Sequence, residues 1–270
     1  MEVTDFSSDG GHSVVTMTDL VEGLSALGLK RGDKLLVHSS LSAFGNVDGG
    51  EHTVIDALLR SVGNEGLVAV PTHTWGTVGG RQPVFHVDLS PSIVGRITET
   101  FRRRPGAVRS LHPTHSVAVM GDGAEAFVKG HERWSTPCAM ESPYGRLVQQ
   151  HGYVLMLGVT LESCTLIHGF EEWACVPWLF DRTERLYTVT EDGRVLTVMS
   201  RRHTSDPNCD RDFEALEPLL QSRGIMRVGR IGNATIRLLD AHKMADLLVG
   251  LLRDRPDLVL AQRSEPVPQE

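Results

Sequence analysis

The sequence predicts a layered α/β protein with an antiparallel addition in its C-terminal third. Three observations carry this. Short apolar runs that read as buried strands alternate with helix-period segments through the first 160 or so of its 270 residues. Two strand-like segments flank Asp192-Gly193, a pair suited to the positive-φ positions of a tight hairpin turn. Hydrophobic residues make up 40% and charged residues 23%, the ordinary balance of a globular chain.

The elements follow in order. Residues 34–38 (KLLVH), after the turn Lys30-Arg31-Gly32-Asp33, form a buried strand. Residues 52–62 place Val54, Ile55, Leu58, Leu59 and Val62 on one helix face. Residues 67–70 form a second strand, stopped by Pro71. Ser90-Pro91 is a helix-start signal, cap followed by a proline in the first turn, and predicts a helix to about Arg104. Residues 116–120 and 153–157 read as strands, and Ser142-Pro143 starts a helix running to about Gln150. The hairpin joins 186–190 to 194–200. A helix over 213–223, a strand over 226–231 and a helix over 241–252 complete the chain. Residues 1–16 and 261–270 are expected to be flexible, leaving 17–260 as a single domain.

Composition excludes several classes. No apolar run approaches the roughly 18–20 residues needed to span a bilayer. The start of the chain is polar and acidic, without the basic stretch and apolar core of a secretory signal, which predicts a cytoplasmic protein. Cys138, Cys164, Cys175 and Cys209 include no C-x-x-C pair and are expected as free thiols. Net charge is −7, and basic residues are scattered apart from Arg102-Arg103-Arg104, which argues against a nucleic-acid surface. A net negative chain favours encounter with cationic ligands.

The residues able to do chemistry gather at strand ends, where α/β folds place their ligands. His38-Ser39-Ser40-Leu41-Ser42 follows the first strand and offers hydroxyls and N–H groups. Pro71-Thr72-His73-Thr74-Trp75 follows the second. His112-Pro113-Thr114-His115-Ser116-Val117 precedes the third. The histidines at 112 and 115 could hold a metal or merely the loop, and no H-E-x-x-H accompanies them. The last segment runs from Glu162 to Glu172. On a helix, His168 and Glu171 share a face. An imidazole titrates near neutral pH and can take a proton from an amine, while a carboxylate can orient the ring. No G-x-S-x-G elbow and no G-x-x-x-x-G-K-[ST] loop is present.

Taken in order, these segments resemble the aminoglycoside 3-N-acetyltransferase family of antibiotic-resistance enzymes. The resemblance runs from about Thr18 to about Leu252. It rests on Val37-His38-Ser39-Ser40-Leu41-Ser42 with Gly45; on Pro71-Thr72 and Trp75; on Arg109, His112-Pro113 and Ser116-Val117-Ala118-Val119; on Thr136-Pro137-Cys138 before Ser142-Pro143-Tyr144-Gly145; and on Leu157-Gly158-Val159 leading to Thr165-Leu166-Ile167-His168. Family members commonly carry Asn or Thr ahead of that histidine. Thr165 keeps the pattern, Ser163 and Cys164 depart from it, and 182–212 matches less clearly.

The resemblance implies an α/β/α sandwich with a mixed central sheet, unlike the common acetyltransferase superfamily fold. It implies acetyl-coenzyme A as co-substrate and no metal. The implied catalytic pair is His168 and Glu171. The cofactor contacts are expected from His38, Ser39, Ser40, Leu41, Ser42, Thr72, His112, Ser116 and Val117. A polycationic antibiotic needs carboxylates when it leaves water, so Glu171, Glu172, Asp181, Asp210 and Asp212, with Thr74 and Trp75, are the expected substrate contacts. His168 would deprotonate an amine of the 2-deoxystreptamine ring as it attacks the thioester. Backbone N–H groups near Ser39 or Ser116 would meet the developing oxyanion. The enzyme would act as a monomer or homodimer. The alternatives are acetylation of another amine metabolite, a metal-dependent amidohydrolase built on His112, His115, His131 and His168, and a non-catalytic binder of cationic sugars.

Overall fold

A computed structural model describes residues 14–261. Its helices are α1 (Met17–Ala26), α2 (Gly50–Val62), α3 (Arg96–Arg102), α4 (Ala124–Val128), α5 (Pro143–Gln149), α6 (Thr165–Trp173), α7 (Glu217–Ser222) and α8 (Ala241–Asp254). Its strands are β1 (Lys34–Ser39), β2 (Leu67–Pro71), β3 (Val84–His86), β4 (Val108–Arg109), β5 (Val117–Gly121), β6 (Tyr153–Leu157), β7 (Phe180–Val189), β8 (Val195–His203), β9 (Met226–Ile231) and β10 (Ala234–Asp240).

The main sheet has seven strands in the order β4-β5-β2-β1-β6-β10-β9. Only β2, β1 and β6 are mutually parallel. β5 joins β2 antiparallel, β4 joins β5 likewise, and β10 and β9 extend the other edge antiparallel. The sheet is therefore mixed. Successive strand side chains point to opposite faces, and both faces are covered. Leu36, Ala69, Val154 and Met156 pack with α4, α5, α6 and α8. Leu35, Val37, Val68 and Leu155 pack with α1, α2 and α3. The result is an α/β/α sandwich.

The C-terminal addition has two parts. β9 and β10 complete the main sheet. β7 and β8 form the hairpin, turned at Asp192-Gly193 with Gly193 at φ 79°, and β3 adds parallel to β7 to make a separate three-stranded sheet. That sheet has its own apolar cluster of Val78, Phe85, Val87 and Leu186.

Two expected helices differ. Ser90-Pro91 does not start α3, which begins at Arg96 after Gly95. The Ser90 hydroxyl instead accepts from the His86 N–H, and its carbonyl accepts from Arg109. A cap-like pair here fixes a loop rather than a helix start. The helix expected over 213–223 is a 3₁₀ turn at Glu214–Leu216 followed by α7, the change of helix type coming one residue before Pro218. Proline fits a first turn but removes a donor from a helix interior. Part of the expected N-terminal tail is fixed: Thr16 and Asp19 form a reciprocal cap on α1, and Val15 is buried against Val47 by a β-bridge. The remainder of that segment, 1–13, and the tail from 262 lie outside the described residues.

The carboxyl ends of β1, β2 and β6 lie side by side and deliver Ser39, Pro71 and the turn after Leu157 to one edge of the sheet. α5 backs this arrangement at close range. A Cβ on Gly145 would run into the Met140 carbonyl and Cα. Gly145→Ala is expected to lower stability by about 1–3 kcal/mol through overpacking, read as a reduced urea midpoint at unchanged m-value; an unaltered midpoint would mean that the loop before α5 yields freely.

Candidate active site

A cavity of about 500 Å³ opens at that edge, between the main sheet and the smaller one. β1 contributes His38 and Ser39, β2 contributes Pro71 and the following His73, α6 contributes His168, and the end of β8 contributes Arg202 and His203. Trp75 stands at the wall with about half its surface exposed.

His168 lies one turn into α6, and Glu171 follows on the same face. Nδ1 of His168 is 2.6 Å from Oε2 of Glu171. A carboxylate only accepts, so Nδ1 carries the hydrogen and Nε2 is left as the basic nitrogen. Glu171 has no exposed side-chain surface, whereas His168 is 24% exposed and open to the cavity. The other Glu171 oxygen accepts from Nε of Arg211 at 3.2 Å. Arg211 thereby compensates a carboxylate that would be costly to bury alone. The Phe213 ring meets the His168 ring edge-on at 5.2 Å, and the His203 ring lies over it at 4.4 Å. His203 in turn contacts Oε1 of Glu172 at 3.2 Å, so two successive glutamates each hold one of two facing imidazoles.

Behind this pair the imidazoles continue inward. His203 neighbours His115, His115 neighbours His73 and His112, and His112 stacks on His131. Burial disfavours their charged forms. It pushes His38 and His73 down to about 3 and His131 to about 4, and it pushes His112, His115 and His203 well below the usual range. Burial likewise raises Glu172 to about 8, against the backbone bond from Cys138 that favours its charged form. Tyr144 ties α5 to this interior through a 2.9 Å bond to Nε2 of His73.

A family model described as aminoglycoside 3-N-acetyltransferase matches residues 36–253. The chain belongs to that family. It is 35% identical to aminoglycoside N(3)-acetyltransferase VII of Streptomyces paromomycinus, over 89% of this chain and 92% of the relative. It is 33% identical to aminoglycoside N(3)-acetyltransferase IX of Micromonospora chalcea, over 89% and 93%. Among solved structures it resembles aminoglycoside acetyltransferase AAC(3)-Xa, with TM-score 0.81, 32% identity and coverage of 90% and 94%. It also resembles AAC-IIIb in a binary complex with CoASH, with TM-score 0.78, 28% identity and coverage of 94% and 100%.

For this acetyltransferase, the cavity brings together only part of the residue set expected from sequence. His168 is on its wall, with Glu171 directly behind. From the first loop His38 and Ser39 line it, while Ser40 and Ser42 hydrogen-bond to each other and Leu41 packs on the α1–α2 side of the sheet. Thr72, His112, Ser116 and Val117 have no exposed surface and lie behind the cavity's lining residues. They brace the site instead: the Thr72 and Ser116 hydroxyls bond to each other at 2.9 Å, and both accept from Nε of Arg109. Burial pulls that guanidinium down to about 9. Thr74 is equally sealed, donating to the Pro113 carbonyl. The Ser40 N–H donates to the Leu157 carbonyl, and Ser116 is sealed, which removes two candidate oxyanion donors.

The expected substrate carboxylates disperse. Glu171 and Glu172 are buried with His168 and His203. Asp181 pairs with Arg182, Asp212 accepts from the Ala215 N–H, and Asp210 is exposed away from the cavity wall. Sequence reasoning missed His203, Arg202 and Arg211, which the hairpin and the following loop bring to the site across a long stretch of chain. The one available signal was a further histidine at a strand end, hidden because β8 runs three residues beyond the expected 200. The amidohydrolase alternative is not favoured. Both ring nitrogens of His131 are engaged, with Ser110 and the Pro137 carbonyl, and among the described residues no three His, Cys, Asp or Glu converge as ligands.

The cavity fits the pantetheine end of acetyl-coenzyme A. Two buried polar atoms on its lining residues, Ser39 Oγ and His38 Nε2, have no partner among the described residues. Such atoms are rare in a finished fold unless a ligand or water completes them. Val94, Val159 and Pro71 supply apolar wall beside them, which suits a chain of alternating amides and methylenes.

The neutral histidines make stability depend on pH in a definite direction. His38, His73 and His131 titrate in the fold below the ordinary value of 6.5. Their contribution is present above pH 6.5 and is lost as pH falls toward their folded values. On going from about pH 7.5 to about pH 5 each withdraws about 2 kcal/mol, and three together withdraw about 6 kcal/mol, comparable to a whole domain's margin of roughly 5–15 kcal/mol. Urea denaturation at those two pH values should show a large fall in midpoint; equal midpoints would contradict neutral burial.

Proposed function

We propose that this aminoglycoside 3-N-acetyltransferase works by direct transfer, with His168 taking the proton of the antibiotic's amine as that amine attacks. The observation that carries the reading is the His168–Glu171 contact at 2.6 Å on the wall of the cavity. An ammonium has no lone pair to donate. Nε2 of His168 is the acceptor left available once Glu171 holds Nδ1. Glu171, fixed by Arg211, keeps the ring in one tautomer and stabilises the imidazolium that forms. The His203 ring lying over it and the Phe213 ring meeting it edge-on limit ring rotation. Acetyl-coenzyme A, when bound, supplies an acyl group activated as a thioester; as the C–N bond forms, the C–S bond breaks and coenzyme A leaves as its thiolate, to be protonated to the thiol. Ser39 and His38 would hold its amides, and the apolar wall would keep water from the reacting carbon. No side chain need form a covalent intermediate: Cys164 lines the cavity, but burial raises its thiol to about 12, unsuited to nucleophilic attack.

Support for the substrates comes from the relatives. One solved neighbour binds CoASH, and another, AAC(3)-IVa, was solved in complex with a gentamicin. The same reading takes residues 17–260 as one catalytic domain, working in the cytoplasm as a monomer or homodimer. Among the described residues no helix is long and apolar enough to cross a membrane.

The test is a panel of aminoglycosides assayed for thiol release from acetyl-coenzyme A, with the product position read by NMR. Acetylation at the 3-amine is expected, and failure across the panel would overturn the reading. His168→Ala should lose about a hundredfold or more in kcat, with Glu171→Gln lying between it and the wild type. A folded His168→Ala enzyme of full activity would refute the base.

A further inference from the structure

We propose that the free edge of β8 docks a second copy of this chain, β8 pairing antiparallel with β8 about a two-fold axis. Along a hairpin strand the backbone groups of successive residues point alternately to the two sides. Next to the turn the Thr190 N–H donates to the Arg194 carbonyl, and the register continues Thr188–Leu196, Leu186–Val198 and Glu184–Ser200. The even-numbered residues of β8 therefore bond to β7, while Val195, Thr197, Met199 and Arg201 turn their N–H and C=O groups outward. The Arg201 N–H donates to the Ser135 carbonyl at 2.6 Å. Those of Val195, Thr197 and Met199 have no protein partner among the described residues. Sheet edges are ordinarily protected from such pairing by brevity, charge, proline or a bulge. The other edges of the two sheets have this protection: β4 has two residues, β3 has three, and β9 carries Arg227 and Arg230. β8 offers residues 195–199 without a charge or a proline. Val195 and Met199 are 63% and 45% exposed, and Val84, two strands away on the same face, is 40% exposed, so the surface beside the edge is apolar as well.

A second copy fits this edge in geometry and in charge. Two identical edges related by a two-fold run antiparallel, so each presents the donors and acceptors that the other lacks. The Ser135 contact closes the edge at Arg201, and an incoming strand can run only as far as Met199. A two-fold at Leu196 meets that limit. It sets Val195 opposite the second copy's Thr197, two residues that both bond outward, and Leu196 opposite its own copy. The incoming strand then ends at its turn, which lays the second copy's Glu191-Asp192 tip beside Arg201. Among the described residues the exposed Glu191 has no ion pair, and the Arg201 guanidinium lies over the Phe180 ring at 4.0 Å rather than on a carboxylate. Acid thus meets base at both ends of the pair. The contact is short, which makes the dimer weak and reversible. None of residues 195–199 lines the cavity, so each copy keeps its own site.

Sedimentation velocity of the full chain over about 1–100 μM, the range of a weak interface, tests the proposal. Wild type should pass from monomer to dimer within that range. Thr197→Lys places a charge on the edge, and Thr197→Pro removes one of the pairing donors; both should stay monomeric at the highest concentration. The circular dichroism spectrum and the rate of thiol release from acetyl-coenzyme A should match wild type for Thr197→Lys, which separates lost association from lost folding. Glu191→Lys sets like charge beside Arg201 and should weaken the dimer about threefold to tenfold, less so as NaCl is raised. Wild type that remains monomeric throughout overturns the proposal and leaves the edge to another partner or to none. A dimer that persists in both Thr197 variants puts the interface elsewhere, and growth beyond the dimer means open-ended pairing instead of a closed two-fold; either result overturns it.

Discussion

The site depends on burying one carboxylate. Glu171 has no contact with water and is kept tolerable by two partners, His168 on one oxygen and Arg211 on the other. Arg211 comes from a loop beyond the hairpin, far along the chain from α6. That loop also brings Phe213 against His168 and hands two N–H groups to Glu162. The proposed base, its orienting acid and the wall beside it are thus locked by the same short stretch, 211–214. The arrangement is rigid because an unpaired Glu171 would be more costly than any slack in the loop would return.

A second constraint is the neutral interior. The imidazoles running inward from His168 are stripped of charge by burial and linked by ring contacts and hydrogen bonds, with Tyr144 and Arg109 at the margins. The proposed base, which would become positively charged in turnover, sits beside groups that do not compete with it for charge. The consequence is acid sensitivity, since each buried imidazole opposes folding once it can be protonated in the unfolded chain.

The division of the antiparallel addition has a physical logic. Strands β9 and β10 finish the main sheet and bury its edge, while β3, β7 and β8 stand apart as a second sheet that closes the cavity. His203 and Arg202 reach the site only because β8 extends past the hairpin's expected end. The segment 182–205 supplies Arg182, Arg202, His203 and Ser205 to the cavity wall from outside the sandwich.

The sequence by itself determined the sandwich and the helix face that His168 and Glu171 share. Apolar runs fixed β1, β2, β5 and β6, the Asp192-Gly193 turn fixed the hairpin, and spacing placed His168 and Glu171 on one helix face, because these signals are local and repeat with the period of the backbone. Which acids face the cavity was not legible: Glu172 and Asp212 carry the right charge, but only packing decides whether an acid faces a cavity, a backbone N–H or another side chain. Thr72 and Ser116 likewise sit beside the site in sequence but are sealed beneath it by Arg109. Which polar groups remain open to a ligand is a sum over contacts distant in the chain, and that sum exists only once the fold has closed.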